Sequence, residues 1–270
     1  MIGTKDPNLS METMILWVNC NLNFIWRVRE FTKIISKKTE TPLAQVEIMF
    51  SKGLVVKKFA LMYREFLDRI MCEFKQSIID GLTPFKKYSE FDVKEVMENF
   101  INYFRNLIEL LTQKNQKTLL WNYIFDIFTT EFSKMVGRTL SKWPSGEKDE
   151  FIAKIDKDVE FMFQFLDPKS MRTYRDSELK LRTLVGLFKD PPEVIEMHVI
   201  NMKLPFMEGI YTKDMVKNVL NFRNVSDRIK KSVNGTFQDV QVSWDKAKNP
   251  ALEMQLGIFV LARVKKFVAI

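Results

Sequence analysis

The residues able to do chemistry are few in this chain, and their spacing argues against an active site. His198 is the only histidine, set between Met197 and Val199 in a short helical pattern. One imidazole cannot build a His-based metal site. No Ser–His–Asp or Cys–His arrangement can be assembled around it. Cys20 and Cys72 are the only cysteines, which excludes a disulfide framework and a Cys-based zinc site. Each lies inside an apolar helical pattern, so both are expected to be buried free thiols in a reducing compartment. Asp156, Asp158 and Glu160 are interleaved with Lys154 and Lys157, the spacing of intrahelical ion pairs. Neither a G-x-G-x-x-G nor a Walker phosphate loop occurs in the sequence. The expectation is a protein that is not an enzyme, with no catalytic residue, metal or cofactor.

The cations carry more information. Net charge is +8, and Lys213, Lys217, Arg223, Arg228, Lys230 and Lys231 crowd the stretch after Tyr211, with Phe222 among them. Such a group can contact an anionic lipid surface or an acidic partner protein, at roughly 1 kcal/mol per cation near an anionic leaflet. A lysine-rich solvent face is the plainer account. Nucleic acid ranks below both, because no helix-turn-helix, zinc finger or aromatic sheet motif accompanies the cations. Arg263, Lys265 and Lys266 form a second group, near the end of a segment carrying Leu252, Leu256, Phe259, Val260, Val264, Phe267 and Val268. That segment reads either as a terminal core helix with cations at the negative end of its dipole or as an amphipathic anchor. It is too short and too charged to span a membrane. Residues 1–10 are polar and lack a signal-peptide core, which together with the cysteines predicts a cytoplasmic protein.

The elements that must position these residues are helices. Apolar content of 46%, with 23 Phe, suits a globular core. With 9 Gly and 9 Pro in 270 residues, breaks are scarce and helices should be long. Apolar residues recur at 3.6-residue spacing over 11–36 (Met14, Leu16, Trp17, Leu22, Ile25, Trp26, Phe31, Ile34) and over 43–80, with a kink near Gly53. Further helices are predicted over 93–111 with Asp92 as N-cap, 118–140, and 151 to about 165. Shorter ones follow over 176–188, 192–202, 212–221, 226–233 and 251–268. Thr212 and Ser226 are N-cap candidates, and Asn234-Gly235 reads as a turn, with Gly235 able to cap. Val240, Val242 and Trp244 alternate with polar residues, which predicts an extended connector over 236–244. Trp143-Pro144-Ser145-Gly146 is the strongest break and divides the chain into helical bundles at 1–145 and 146–270. The fold class is all-α.

Taken in order, several segments resemble the C-terminal region of the third component of the exocyst, a family that includes the tumour-necrosis-factor-inducible exocyst-like proteins. Trp17-Val18-Asn19-Cys20-Asn21 resembles its apolar-Asn-Asn segment, and Ile78-Ile79-Asp80-Gly81-Leu82 with Pro84 the end of its next long helix. Phe100-Ile101-Asn102-Tyr103-Phe104 is similar to its acidic-Tyr-Phe helix, and Asn122-Tyr123-Ile124 to the helix after that. Lys154 to Asp158, running to Phe161 and Phe165, resembles its helix of basic, Asp and paired-Phe residues. Asp190-Pro191-Pro192 with Val194 and Val199, then Val219-Leu220-Asn221-Phe222-Arg223, is similar to its Asp-Pro-Ser and Leu-Leu-x-(Leu/Ile)-Arg helices. Two departures stand out: Asn224-Val225 replaces an acidic residue, and nothing beyond Trp244 has a counterpart.

The resemblance implies an elongated rod of stacked antiparallel helical bundles, of the tethering-complex type. It implies a scaffold that links secretory vesicles to the plasma membrane before SNARE-mediated fusion. The partners it implies are other exocyst subunits and SNARE proteins or their regulators, with phosphoinositide binding in some members. The location it implies is cytoplasmic, peripheral at the plasma membrane or secretory vesicles. The alternative is a helical lipid- or membrane-binding protein outside the exocyst.

Overall fold

A computed structural model of the chain describes residues 9–51, 54–85, 87–143, 146–165 and 175–247. Every regular element among them is helical: α1 Met11–Thr39, α2 Leu43–Ser51, α3 Leu54–Leu82, α4 Val93–Glu109, α5 Lys114–Thr139, α6 Lys148–Phe165, α7 Arg175–Lys189, α8 Ile195–Asn201, α9 Lys213–Phe222 and α10 Asp227–Ala247. The all-α expectation holds. The segment 251–268, with Arg263, Lys265 and Lys266, lies outside the described residues, as does Gly53. Among the described residues, no helix is long and apolar enough to cross a membrane.

The chain forms two compact units, Met1–Gly81 with Lys94–Ile127, and Leu82–Val93 with Phe128–Ile270. The second unit brings together aromatic residues remote in sequence. Tyr88 meets Phe132 and Phe151 at 6.0 and 5.5 Å, drawing the one-turn helix at Tyr88–Glu90 into the second unit.

In the first unit α1 packs on α2. Trp17 stacks on Phe66 at 6.0 Å, Phe24 on Phe59 at 4.0 Å, and Phe74 meets Phe104 at 4.6 Å. Asn19 ties the α4–α5 turn to α1. Its Nδ2 donates to the Leu110 carbonyl (2.8 Å), and its Oδ1 accepts from the Thr112 amide (3.1 Å) and hydroxyl (3.2 Å). One expectation fails on α1 and α3. Cys20 and Cys72 are exposed, since the buried residues Val18 and Ile70 sit two positions away and therefore on the opposite side of each helix. Leu16, Trp26, Phe31 and Ile34 are more than half exposed; the apolar residues of α1 exceed one stripe, and this unit covers only part of them.

In the second unit the core is largely aromatic. From Phe91 it runs through Phe132 and Tyr88 to Phe151, which meets Phe188 and Phe222, both at 5.1 Å. Helix α6 packs on α7, α7 on α8, and α8 and α9 on α10. Thr212 caps α9 as its sequence predicts, its Oγ1 accepting from the Met215 amide at 3.2 Å. Asn224 adopts φ +53°. The following Val225 amide donates back to the Leu220 carbonyl (3.2 Å) and ends the helix in the manner of a Schellman turn. Asn tolerates this left-handed conformation better than most residues.

The extended connector and the Asn234-Gly235 turn are both overturned, since 227–247 is one helix. Val233, Phe237, Val240 and Trp244 are buried at spacings of four, three and four, whereas Val242 is half exposed. The alternation of Val240, Val242 and Trp244 is thus a coincidence laid over a helical stripe.

Candidate functional site

The groups with chemical potential in the second unit are held as structural props. Tyr88 is buried and donates from its hydroxyl to Asp158 Oδ2 at 2.6 Å. Lys154 on the same helix as Asp158 reaches that oxygen at 3.1 Å, donates to the Phe91 carbonyl at 2.8 Å and lies 4.8 Å from the Tyr88 ring centre. Burial, then the charge and hydrogen bond of Asp158, push the Tyr88 hydroxyl far above the ordinary tyrosine value. The i,i+4 pair Lys154–Asp158 was legible; Tyr88 as its third member was not, because 70 residues separate it from Asp158. Asp156 instead pairs with Lys189 of α7 at 2.7 Å. Tyr211, also buried, donates to the Lys180 carbonyl at 2.5 Å, and burial raises its pKa as well.

A second network closes the end of α7. Arg223, the last residue of the Val219–Arg223 motif, donates from Nη1 to the Leu187 carbonyl at 2.9 Å and from Nη2 to the Asp190 carbonyl. These are carbonyls that an α-helix leaves without partners at its C-terminus, and a guanidinium fork spans both. Burial pulls the Arg223 guanidinium below its ordinary value, with Asp190 and Glu193 opposing the shift. His198 Nε2 lies 2.6 Å from Asp190 Oδ2, and its ring rests against Gly186, where any Cβ would overlap it. Asp190 and Arg223, 33 residues apart, therefore meet at one helix cap.

Of the predicted contact residues, Lys213 and Lys217 are exposed one turn apart on α9, and Arg228 and Lys231 are exposed near the start of α10. Lys230 is half-buried and reaches Asp227 at 3.9 Å. Arg223 is drawn out of this solvent-facing set by its two carbonyls. It lines instead a cleft of about 290 Å³ with Lys148, Asp149, Phe188, Lys189 and Phe222. Lys148 Nζ sits 5.6 Å from the Phe222 ring centre. Sequence reading missed Lys148 and Lys189 here, since they flank different helices and join Arg223 only through the fold. Among the described residues, no cluster of His, Cys, Asp and Glu could hold a metal ion. Comparison with family models, with curated proteins and with solved structures found no match for the chain.

Proposed function

We propose that the chain is a non-enzymatic tethering scaffold of the exocyst type, acting at the cytoplasmic side of secretory vesicles and the plasma membrane before SNARE-mediated fusion. Its partners on this reading are other exocyst subunits and SNARE proteins or their regulators, with an anionic membrane surface as a peripheral contact. The observation that carries the proposal is a contrast within the second unit. Tyr88, Asp158, Lys154, Arg223 and His198 are engaged in holding helices together, whereas Lys213, Lys217, Arg228 and Lys231 stand exposed on α9 and α10. A rigid helical scaffold presenting charged surface patches needs no reactive centre. The ordered resemblance from Trp17 to Arg223 supplies the family.

The test is an affinity pull-down of the tagged chain from cytosol, beside a variant carrying Lys213→Glu, Lys217→Glu, Arg228→Glu and Lys231→Glu. Recovery of exocyst subunits or SNARE proteins by the native chain, with loss in the variant, is the expected result. Recovery of none by the native chain overturns the tethering reading.

A helical lipid- or membrane-binding protein outside the exocyst is the second reading, and one observation favours it. Trp26, Phe31 and Ile34 are more than half exposed on α1, with Arg27 and Lys33 also exposed there, a composition suited to a membrane interface. Co-sedimentation with vesicles that is lost in Trp26→Ala/Phe31→Ala would select it over the first.

A further inference from the structure

We infer that residues 251–268 form a further helix that folds back along α10 and covers an exposed apolar stripe on α8. The stripe is Met197 and Ile200, 64% and 45% exposed, with Leu204 in the turn after the helix. Met197 and Ile200 stand three residues apart, hence on one side of α8, facing away from the buried Ile195 and Val199. Together with Val242 of α10 they are the only large apolar side chains left exposed among the described residues of the second unit. Uncovered apolar surface in that unit is thus confined to α8 with its turn and to α10. These two helices pack on each other, and Glu196 of α8 accepts from Ser232 (3.1 Å) and Thr236 (2.7 Å) of α10.

The occupant is identified by where the chain goes next. Helix α10 ends at Ala247, and Asn249-Pro250 follows. A helix stops before such a proline, and the proline can open the next one. A link of a few residues returns one helix antiparallel beside its predecessor. At 1.5 Å per residue, 251–268 spans about 27 Å, enough to run back past Thr236 and Ser232 and so past α8. That register brings Leu256 level with Val242, and Val264 and Phe267 level with the part of α10 that holds Glu196. Leu252, Leu256, Phe259, Val260 and Phe267 recur at helical spacing, an apolar side that needs cover in water. Charge does not select this occupant. Glu193, Glu196 and Asp239 stand on α8, α10 and their flanks beside Lys203, Arg228 and Lys231, while Arg263 shares the apolar side of the segment. The contact draws its energy from apolar burial, and of the two readings of 251–268 it selects the core helix over the membrane anchor.

The inference does not rest on the tethering reading, and a failed pull-down leaves it standing. The experiment is amide hydrogen exchange, read by mass spectrometry on the purified full chain. Amides of 251–268 should exchange about 100-fold more slowly than in an unstructured peptide, within the range of local opening. In Met197→Asp/Ile200→Asp that protection should be lost while α7 and α9 keep theirs. Both residues are exposed on the described surface, so the variant should fold. Leu61→Asp, at an equally exposed apolar position of the first unit, should leave 251–268 protected. The reciprocal variant Leu256→Asp/Val260→Asp should deprotect the segment and speed exchange in α8. Unprotected amides in the native chain overturn the inference, as does protection that survives Met197→Asp/Ile200→Asp. Protection that fades on dilution also overturns it and would mark a second copy of the chain as the partner. So does protection gained only on adding phosphatidylserine vesicles, which would mark a membrane anchor.

Discussion

At the scale of single residues, the second unit uses polar groups where an apolar core cannot reach. Arg223 is the clearest case, because one side chain satisfies two carbonyls at the end of α7. Arg223→Met should lower stability by about 1–3 kcal/mol, the cost of leaving such acceptors without a charged donor. Arg223→Lys should recover only part, since an ammonium cannot span both oxygens in a fixed fork; urea unfolding at neutral pH measures both. Gly186 is tied to His198 by shape, the ring lying where a Cβ would stand. Gly186→Ala should therefore cost about 1–3 kcal/mol through overpacking. In the double variant Gly186→Ala/His198→Ala the two losses should fall well short of their sum, because the second change removes the obstacle met by the first. Additive losses in that cycle would show that the contact carries no energy.

At the scale of elements, α10 shows how far the sequence can be read and where it stops. The helix class, the break before α6, the Thr212 cap and the buried stripe of α4 through Met97, Phe104, Leu107 and Ile108 all follow from periodicity and capping, which act within a few residues. The course of 234–244 did not, because Asn-Gly and an alternating Val-x-Val-x-Trp are turn and strand signals that burial against α8 overrides. The cleft was illegible for a related reason: Lys148, Lys189 and Arg223 meet through packing of three helices, and nothing in their local spacing announces it. Gly235 offers a direct check on α10. It is exposed in mid-helix with open space around the position a Cβ would take, so Gly235→Ala should stabilise the chain by about 0.5–1 kcal/mol. A Gly needed for a turn at that position would give the opposite sign.

At the scale of the whole molecule, the buried tyrosines set an alkaline limit to stability. Tyr88 and Tyr211 both have native pKa values raised above the ordinary value of 10.0, Tyr88 by burial and then Asp158, Tyr211 by burial. A raised native value means that the folded chain keeps a proton which the unfolded chain releases once the pH passes about 10. The stability each hydroxyl contributes is thus fully present below pH 10 and is lost as the pH climbs above it. While only the unfolded state is deprotonated, each group steepens the loss by about 1.4 kcal/mol per pH unit. Tyr88 is the larger test, because its hydroxyl also supplies a hydrogen bond to Asp158, so Tyr88→Phe acts in two ways. It should lower stability by about 1–3 kcal/mol near neutral pH, by leaving a buried carboxylate short of a donor. Between pH 10 and 11 its stability should fall less steeply than that of the native chain, by the slope of one proton. Tyr211→Phe leaves the Lys180 carbonyl without this donor, and the same flattening is expected of it. Urea unfolding at successive pH values, read on each variant against the native chain, separates the neutral offset from the alkaline slope. An offset with no change of slope would mean that Tyr88 ionises as readily in the folded chain as in the unfolded one, and its hydrogen bond with Asp158 would have to be redrawn.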